Sequence, residues 1–282
     1  MTGGQDSPAP KWGDLGVRTL SAAVLIPAVL ADVWAGGIWF HLFVALIGIL
    51  MALEWVTIVH RGSPVQFALH AAGAMCGALL PLDVGLAGGL IAIAVIALLS
   101  AAVAAYEEGG GPAWRYLGVL YVSLPPVAFV ILRNDPLHGV AAILLVMLMV
   151  WAADTLAYFA GRIIGGPKLA PSISPKKTWA GLAGAMAGSA LAALALAKAM
   201  GLQSAMILVL IAAMLAIVEQ AGDLFKSAMK RHYGAKDSGS LIPGHGGVID
   251  RVDGLVAVAT VAAIIGVARA GVDGAGAGLL VW

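Results

Sequence analysis

Charge is the scarcest property of this 282-residue sequence. Lys, Arg, Asp and Glu make up 11% of it, where a soluble domain carries roughly 25%. With 61% hydrophobic residues and a mean hydropathy of +0.97, that deficit excludes an ordinary water-soluble domain and predicts an integral membrane protein. A net charge of +1 lacks the basic footprint of a nucleic-acid binder, so no nucleic-acid partner is expected. Cysteine occurs once, at Cys76 within AAGAMCGALL. This excludes an internal disulfide and a multi-cysteine zinc site and leaves a small packing residue. There is no GxxxxGK[ST], HExxH or GxSxG, which removes the P-loop, the common metalloprotease pattern and the nucleophile elbow. GAGAG at 274–278 reads as having no strand before it and no helix after it, so a dinucleotide site is not expected there. The polar opening MTGGQDSPAPKWGD lacks the apolar core and small-residue cleavage site of a signal peptide.

Long apolar runs are what the sequence has in abundance. A bilayer core takes about 20 mostly apolar residues per helix. Such runs lie at 17–36, 38–59, 67–82, 84–105, 113–132, 138–160, 179–200, 204–225 and 254–271, predicting about nine transmembrane helices. Only helices and closed barrels satisfy the backbone in lipid. These unbroken runs of Ala, Leu and Val do not alternate as barrel strands do, so the expected fold class is all-α and polytopic. Lys11 and Arg18 flank the first run and place the N-terminus in the cytoplasm. Alternation then puts Arg61, the pair Glu107 and Glu108, and both strongly basic loops (162–177 and 230–251) on that side, and the C-terminus on the other. GLAGAMAGSALAALA, at 181–195, spaces small residues as close helix packing requires.

The charge that exists is concentrated. Residues 154–180 hold five charged side chains and residues 219–253 hold ten, of 31 in the chain. A charge at the bilayer centre costs about 2.5–3.5 kcal/mol even on lenient scales, so these groups must be paired, wetted or bound to something. Glu219, Asp223, Lys226 and Lys230 are spaced by four, three and four and share one helix face. Asp250 and Asp253, three apart, share a face if the next helix begins there. Carboxylates on two helix ends suit a hard divalent cation such as Mg2+, which keeps waters and borrows phosphate oxygens. The surrounding Lys and Arg suit phosphates, and the glycines of PGHGG let backbone N–H groups approach a ligand. Asp154 pairs with Arg162 or Tyr158 or joins this site. Glu54 and Asp32 read as isolated acids with structural hydrogen bonds.

SAMKRHYGAKDSGSLIPGHGGVIDRVDG, at 227–254, resembles the signature of the phosphatidate cytidylyltransferases, or CDP-diacylglycerol synthases, through Ser227, Lys230, Arg231, Lys236, Asp237, Pro243, His245, Gly246, Gly247, Asp250, Arg251 and Asp253. GDLFKS (222–227) and DTLAYFAGRIIGGPKLAPSISPKKTWAG (154–181) are similar to the family as well. Ala180 departs from it, standing where the family has Glu.

The resemblance implies transfer of a cytidylyl group from CTP to phosphatidate, giving CDP-diacylglycerol and pyrophosphate in phospholipid biosynthesis. It implies Mg2+, with room for a second cation. Asp223, Asp250 and Asp253 are then the expected metal ligands. Asp223, Asp250, Lys230, Arg231, Lys236 and His245 form the expected catalytic set. Asp154, Ser174, Lys176, Lys177, Thr178, Ser227, Asp237, Gly246, Gly247 and Arg251 are the expected substrate contacts. The chain divides into a flexible tail at 1–16, N-terminal membrane helices at 17–136 and a C-terminal catalytic membrane region with cytoplasmic loops at 137–282. A bacterial cytoplasmic membrane, a cytoplasm-facing site and a homodimer are expected. Two rivals are a CTP-dependent polyprenol kinase, which would release CDP, and an ion-coupled transporter, which would place its acids near midplane.

Overall fold

The computed structural model describes residues 11–108, 113–239, 241 and 246–282. Among them are ten helices: α1 (Lys11–Ala35), α2 (Gly37–Val59), α3 (Pro64–Asp83), α4 (Gly85–Glu108), α5 (Trp114–Arg133), α6 (Gly139–Ile163), α7 (Trp179–Ala199), α8 (Ala205–His232), α9 (Ile249–Ala270) and α10 (Ala275–Leu280). Among the described residues seven, α2 and α4 to α9, are long and apolar enough to cross a membrane. The first and third expected spans fall on α1, apolar over Ala23–Ala35, and on α3, where Gln66 and His70 interrupt the apolar run. Residues 1–10 of the expected tail lie outside the described residues, and α1 opens at Lys11, earlier than expected. The GAGAG stretch itself opens α10, whose Ala277 N–H donates to Asp135 Oδ2.

The helices run up and down between two poles. At one pole lie the ends of α2, α4, α6 and α8 and the starts of α3, α5, α7 and α9. Ser63, the N-cap of α3, reaches Glu107 near the end of α4 at 3.5 Å. At the far pole Arg133 Nε donates to Val33 O at 2.6 Å, tying the end of α5 to the end of α1. His41 at the start of α2 bonds Ala78 O (2.9 Å) and Asn134 Oδ1 (3.1 Å). Exposed Trp34 and Trp39 mark the far pole, and exposed Tyr158 and Trp179 the other, as amphipathic rings do at membrane boundaries. Between them Ile91, Leu98, Leu210, Met214 and Ile264 face outward. Such a surface would be an aggregation liability in water and is what a polytopic membrane protein presents to lipid.

Among the described residues one segment forms strands. The loop between α6 and α7 folds into an antiparallel hairpin, β1 (Lys168–Ala170) and β2 (Ser174–Thr178), with Lys168 opposite Thr178 and Ala170 opposite Ser174. Pro167, Pro171 and Pro175 exclude helix there, and the short extended pieces then pair with each other. Thr178 ends β2 and caps α7, its Oγ1 accepting from Gly181 N at 3.0 Å.

Candidate active site

The site begins with α8, which outlasts its apolar stretch and ends at His232. Its last turns carry Glu219, Asp223, Lys226 and Lys230 on one face, as the spacing predicts. The opposing wall is the first turn of α9, with Asp250 and Asp253. Two glycines let these helices meet. A Cβ at Gly222 would lie 2.8 Å from Asp253 O, and one at Gly254 would lie 2.9 Å from Glu219 Cγ. Small residues at such crossings let backbones approach, and here the approach brings two sets of charges into contact.

Lys226 is the centre of that contact. It is 7% exposed, and its Nζ lies 2.6 Å from Asp253 Oδ2, 2.9 Å from Asp223 Oδ1 and 3.5 Å from Asp250 Oδ1. Lys230 Nζ donates to Asp250 Oδ1 at 2.5 Å, and Ser238 N donates to Asp250 Oδ2 at 2.8 Å. From β2, Lys177 Nζ reaches Asp223 Oδ2 at 2.6 Å and Gln220 Oε1 at 2.8 Å. Asp223 also accepts from Ser227 Oγ at 3.4 Å. Three lysines and three aspartates thus alternate across three elements, so that the desolvation cost of each charge is offset by its neighbours. As they stand, the carboxylates are neutralised by lysines, and among the described residues no three His, Cys, Asp or Glu are arranged to hold a metal ion.

Two cavities flank this network. One, of about 400 Å³, is walled by α6, β2, α7 and α8 and includes Asp154, Tyr158, Arg162, Lys176, Lys177, Thr178 and Asp223. The other, of about 250 Å³, includes Asp154, Glu219, Asp223, Lys226, Asp250, Arg251 and Asp253. Asp154 and Asp223 line both. The larger falls within the roughly 300–1,000 Å³ typical of small-molecule sites.

Of the residues singled out from sequence, Asp154, Lys176, Lys177, Thr178, Asp223, Ser227, Lys230, Asp250, Arg251 and Asp253 come together at this network and its cavities. Asp154 joins the site, while Arg162 Nη1 donates to Tyr158 Oη at 2.7 Å. Thr178 is engaged as the α7 cap. Ser174 sits at the start of β2, and Arg231, Lys236 and Asp237 are exposed at the end of α8 and in the loop after it. Gly246 lies near Asp250 Oδ2, whereas Gly247 is buried against Glu54. Pro243 and His245 lie outside the described residues.

The structure adds residues that sequence reasoning left without a role. Lys226 was legible as a face partner of Asp223, not as the hub. Gln220, 6% exposed, binds Lys177 and donates to Glu219 Oε2 at 2.6 Å. Tyr121 of α5 presents a buried hydroxyl that faces the charges of Asp253, Asp250 and Asp223. Its ring packs at a tilt against Trp55 (4.9 Å between centroids) and stacks on Phe225 (5.4 Å). This aromatic wall shields the network on the side of the N-terminal helices.

A family model described as the cytidylyltransferase family matches residues 16–268. The chain is 37% identical over 255 residues to a phosphatidate cytidylyltransferase of Brucella abortus biovar 1, covering 90% of this chain and 93% of the relative. It is 36% identical over 264 residues to one of Pseudomonas aeruginosa, covering 88% and 95%. It is 34% identical over 255 residues to one of Staphylococcus epidermidis, covering 86% and 95%.

Proposed function

The chain belongs to the cytidylyltransferase family, and from that premise we propose that it is the nucleotidyltransferase that converts CTP and phosphatidate to CDP-diacylglycerol and pyrophosphate. The observation that carries the reading is the alternating Lys177–Asp223–Lys226–Asp250–Lys230 network beside a cavity that Asp154, Arg162, Lys176 and Lys177 help to line, at one pole of an otherwise apolar bundle. A triphosphate needs cations, and a phosphoryl transfer needs positioning and charge neutralisation more than covalent help.

A phosphate oxygen of phosphatidate attacks the α-phosphorus of CTP. The new oxygen–phosphorus bond forms as the bond to the bridging oxygen breaks, and pyrophosphate leaves. Base catalysis is not required, because a phosphate monoester is ionised near neutral pH, its second pKa being about 6. Lys176 and Lys177 on β2 and Lys230 and Arg231 on α8 lie where they can balance the triphosphate and lipid phosphate charges, with Lys236 at the loop entrance. Ser174 and Ser227 supply hydrogen bonds, and Asp154 faces the larger cavity. His245 and Gly246, from the Gly-rich loop, complete the expected substrate contacts, while Gly247, expected among them, is buried against Glu54.

Three carboxylates surround Lys226 Nζ; oxygen donors of this kind suit a hard dication, although as they stand they hold the ammonium and are not arranged as a metal cage. Asp223 and Asp250, with Asp253 beside them, would hold Mg2+. When bound, Mg2+ supplies electrostatic stabilisation of the phosphates.

In this reading the network faces the cytoplasm of a bacterial inner membrane. The concentration of basic residues at that pole supports this orientation. Nine crossings also fit, since α3 runs between the same two poles as the seven apolar helices and α1 ends at the far pole.

Product analysis tests the activity. Detergent-solubilised protein given CTP, phosphatidate and Mg2+ should release pyrophosphate and CDP-diacylglycerol in equal amounts. Release of CDP with a phosphorylated lipid would assign a kinase instead.

A further inference from the structure

One buried carboxylate near the site takes no part in the proposed reaction. Glu54 lies on α2, is 3% exposed, and points at the start of α9. Its Oε1 accepts from Val248 N at 2.7 Å and its Oε2 from Ile249 N at 2.9 Å. These N–H groups open α9, and Val248, in the capping position, has no side-chain cap of its own. The first turn of a helix leaves N–H groups without intrahelical partners and favours a negative charge. Glu54 supplies both acceptors from a position 194 residues away in sequence.

Two glycines before α9 are fitted to the same carboxylate. A Cβ on Gly247 would lie 2.7 Å from Glu54 Oε2, and one on Gly239 would lie 2.9 Å from Oε1. Gly239 follows Ser238, whose N–H orients Asp250 Oδ2. Asp250 itself follows Ile249. Glu54 therefore bonds the first turn of α9 and lies against Gly239, the neighbour of Ser238, so it borders both backbone segments that set the direction of the Asp250 side chain.

We propose that Glu54 is a positioning residue for the transferase reaction: it fixes the start of α9 beside Gly239 and Gly247 so that Asp250 meets Lys226 and Lys230. This rests on the cytidylyltransferase reading of the site. Among the described residues the hydrogen bonds of Glu54 go to backbone N–H groups, so it acts through backbone. Supporting groups of this kind, when replaced, typically cost 10- to 100-fold in activity or metal affinity.

The test compares wild type with Glu54→Gln and Gly239→Ala, the latter keeping the charge while crowding the carboxylate. Rates are measured against phosphatidate and Mg2+, and hydrogen exchange is followed in α8 and across 246–254. For Glu54→Gln, kcat should fall at least about tenfold, the half-saturating Mg2+ concentration should rise, and KM for phosphatidate should stay within about twofold. Exchange should speed up across 246–254 and stay unchanged in the apolar part of α8. Gly239→Ala should show the same pattern, and the double variant should lose less than the two effects combined. Unchanged kcat in Glu54→Gln, or faster exchange throughout α8, would overturn the positioning role. A Glu54→Gln chain too unstable to assay leaves the decision to Gly239→Ala, whose wild-type behaviour would likewise overturn it. If wild type itself makes no CDP-diacylglycerol, the reading of the reaction fails. If wild type is active and both variants match it, only the positioning role fails.

Discussion

At the residue scale the site turns on Lys226, whose ammonium is shared by three aspartates from two helices. Removing one partner of a buried ion pair typically costs about 3–5 kcal/mol, because the remaining charges lose their compensation. Lys226→Met should lower the melting temperature in Mg2+-free detergent by that order of energy. Added Mg2+ should raise its melting temperature more than it raises that of wild type, since the carboxylates then lack an internal cation. Equal Mg2+ responses would separate the cation site from Lys226. Lys236 tests a different role, being exposed beyond the network. A charge-assisted hydrogen bond contributes about 1.5–3 kcal/mol, so Lys236→Ala should raise KM for CTP by roughly tenfold or more if it holds phosphate. Unaffected kinetics would mean that it is only solvated.

At the element scale, the α8–α9 crossing decides whether the charges meet. Gly222→Val would push its side chain into Asp253 O and Ala257 Cβ. Such overpacking typically costs about 1–3 kcal/mol, and here it also moves Asp253 away from Lys226. Activity should fall far more than stability; a variant with full activity would show that the crossing tolerates widening. The far pole has its own lock. Asp135, in the loop between α5 and α6, accepts from Leu137 N (3.0 Å), His138 N (2.8 Å) and Ala277 N (2.7 Å). Burial pushes its carboxyl up, but the three backbone donors outweigh burial and hold it below the usual carboxylate range. A depressed folded-state pKa contributes stability above the unfolded value and loses it as pH falls through the folded one. Hydrogen exchange in α10 should therefore be slow at neutral pH and accelerate only in acid, below the ordinary carboxylate range. Asp135→Asn should remove that acid transition, and an identical pH profile in the variant would contradict the assignment.

At the scale of the whole molecule, much was legible because lipid imposes simple rules. The apolar runs located the helices, and the concentration of charge located the pole where α6, α8 and α9 meet. The spacing of Glu219, Asp223, Lys226 and Lys230 named one wall of the site. Features that depend on three-dimensional meetings were not legible. The apolar run at 204–225 and the face spacing through Lys230 together predict the helix that ends at His232, but not the partners on α9 and β2 that its polar turns find. The β1–β2 hairpin is too short to leave a periodic signal. The role of Glu54 has no local signature at all, because its partners lie on a helix that only the fold brings near. Glycine was legible as a helix-packing residue in α7, yet Gly222 and Gly254 acquire their meaning from the registry of α8 on α9.

The most direct measurement is the initial rate of CDP-diacylglycerol formation from CTP and phosphatidate across a Mg2+ series, for wild type and Asp250→Asn purified in parallel. Wild type should show Mg2+-dependent turnover with matched pyrophosphate release. Asp250→Asn, folded and melting near wild type, should be at least about a hundredfold slower at every Mg2+ concentration, a loss of about 2.7 kcal/mol or more of transition-state stabilisation. An Asp250→Asn enzyme that turns over at the wild-type rate would contradict the placement of the reaction between the ends of α8 and α9.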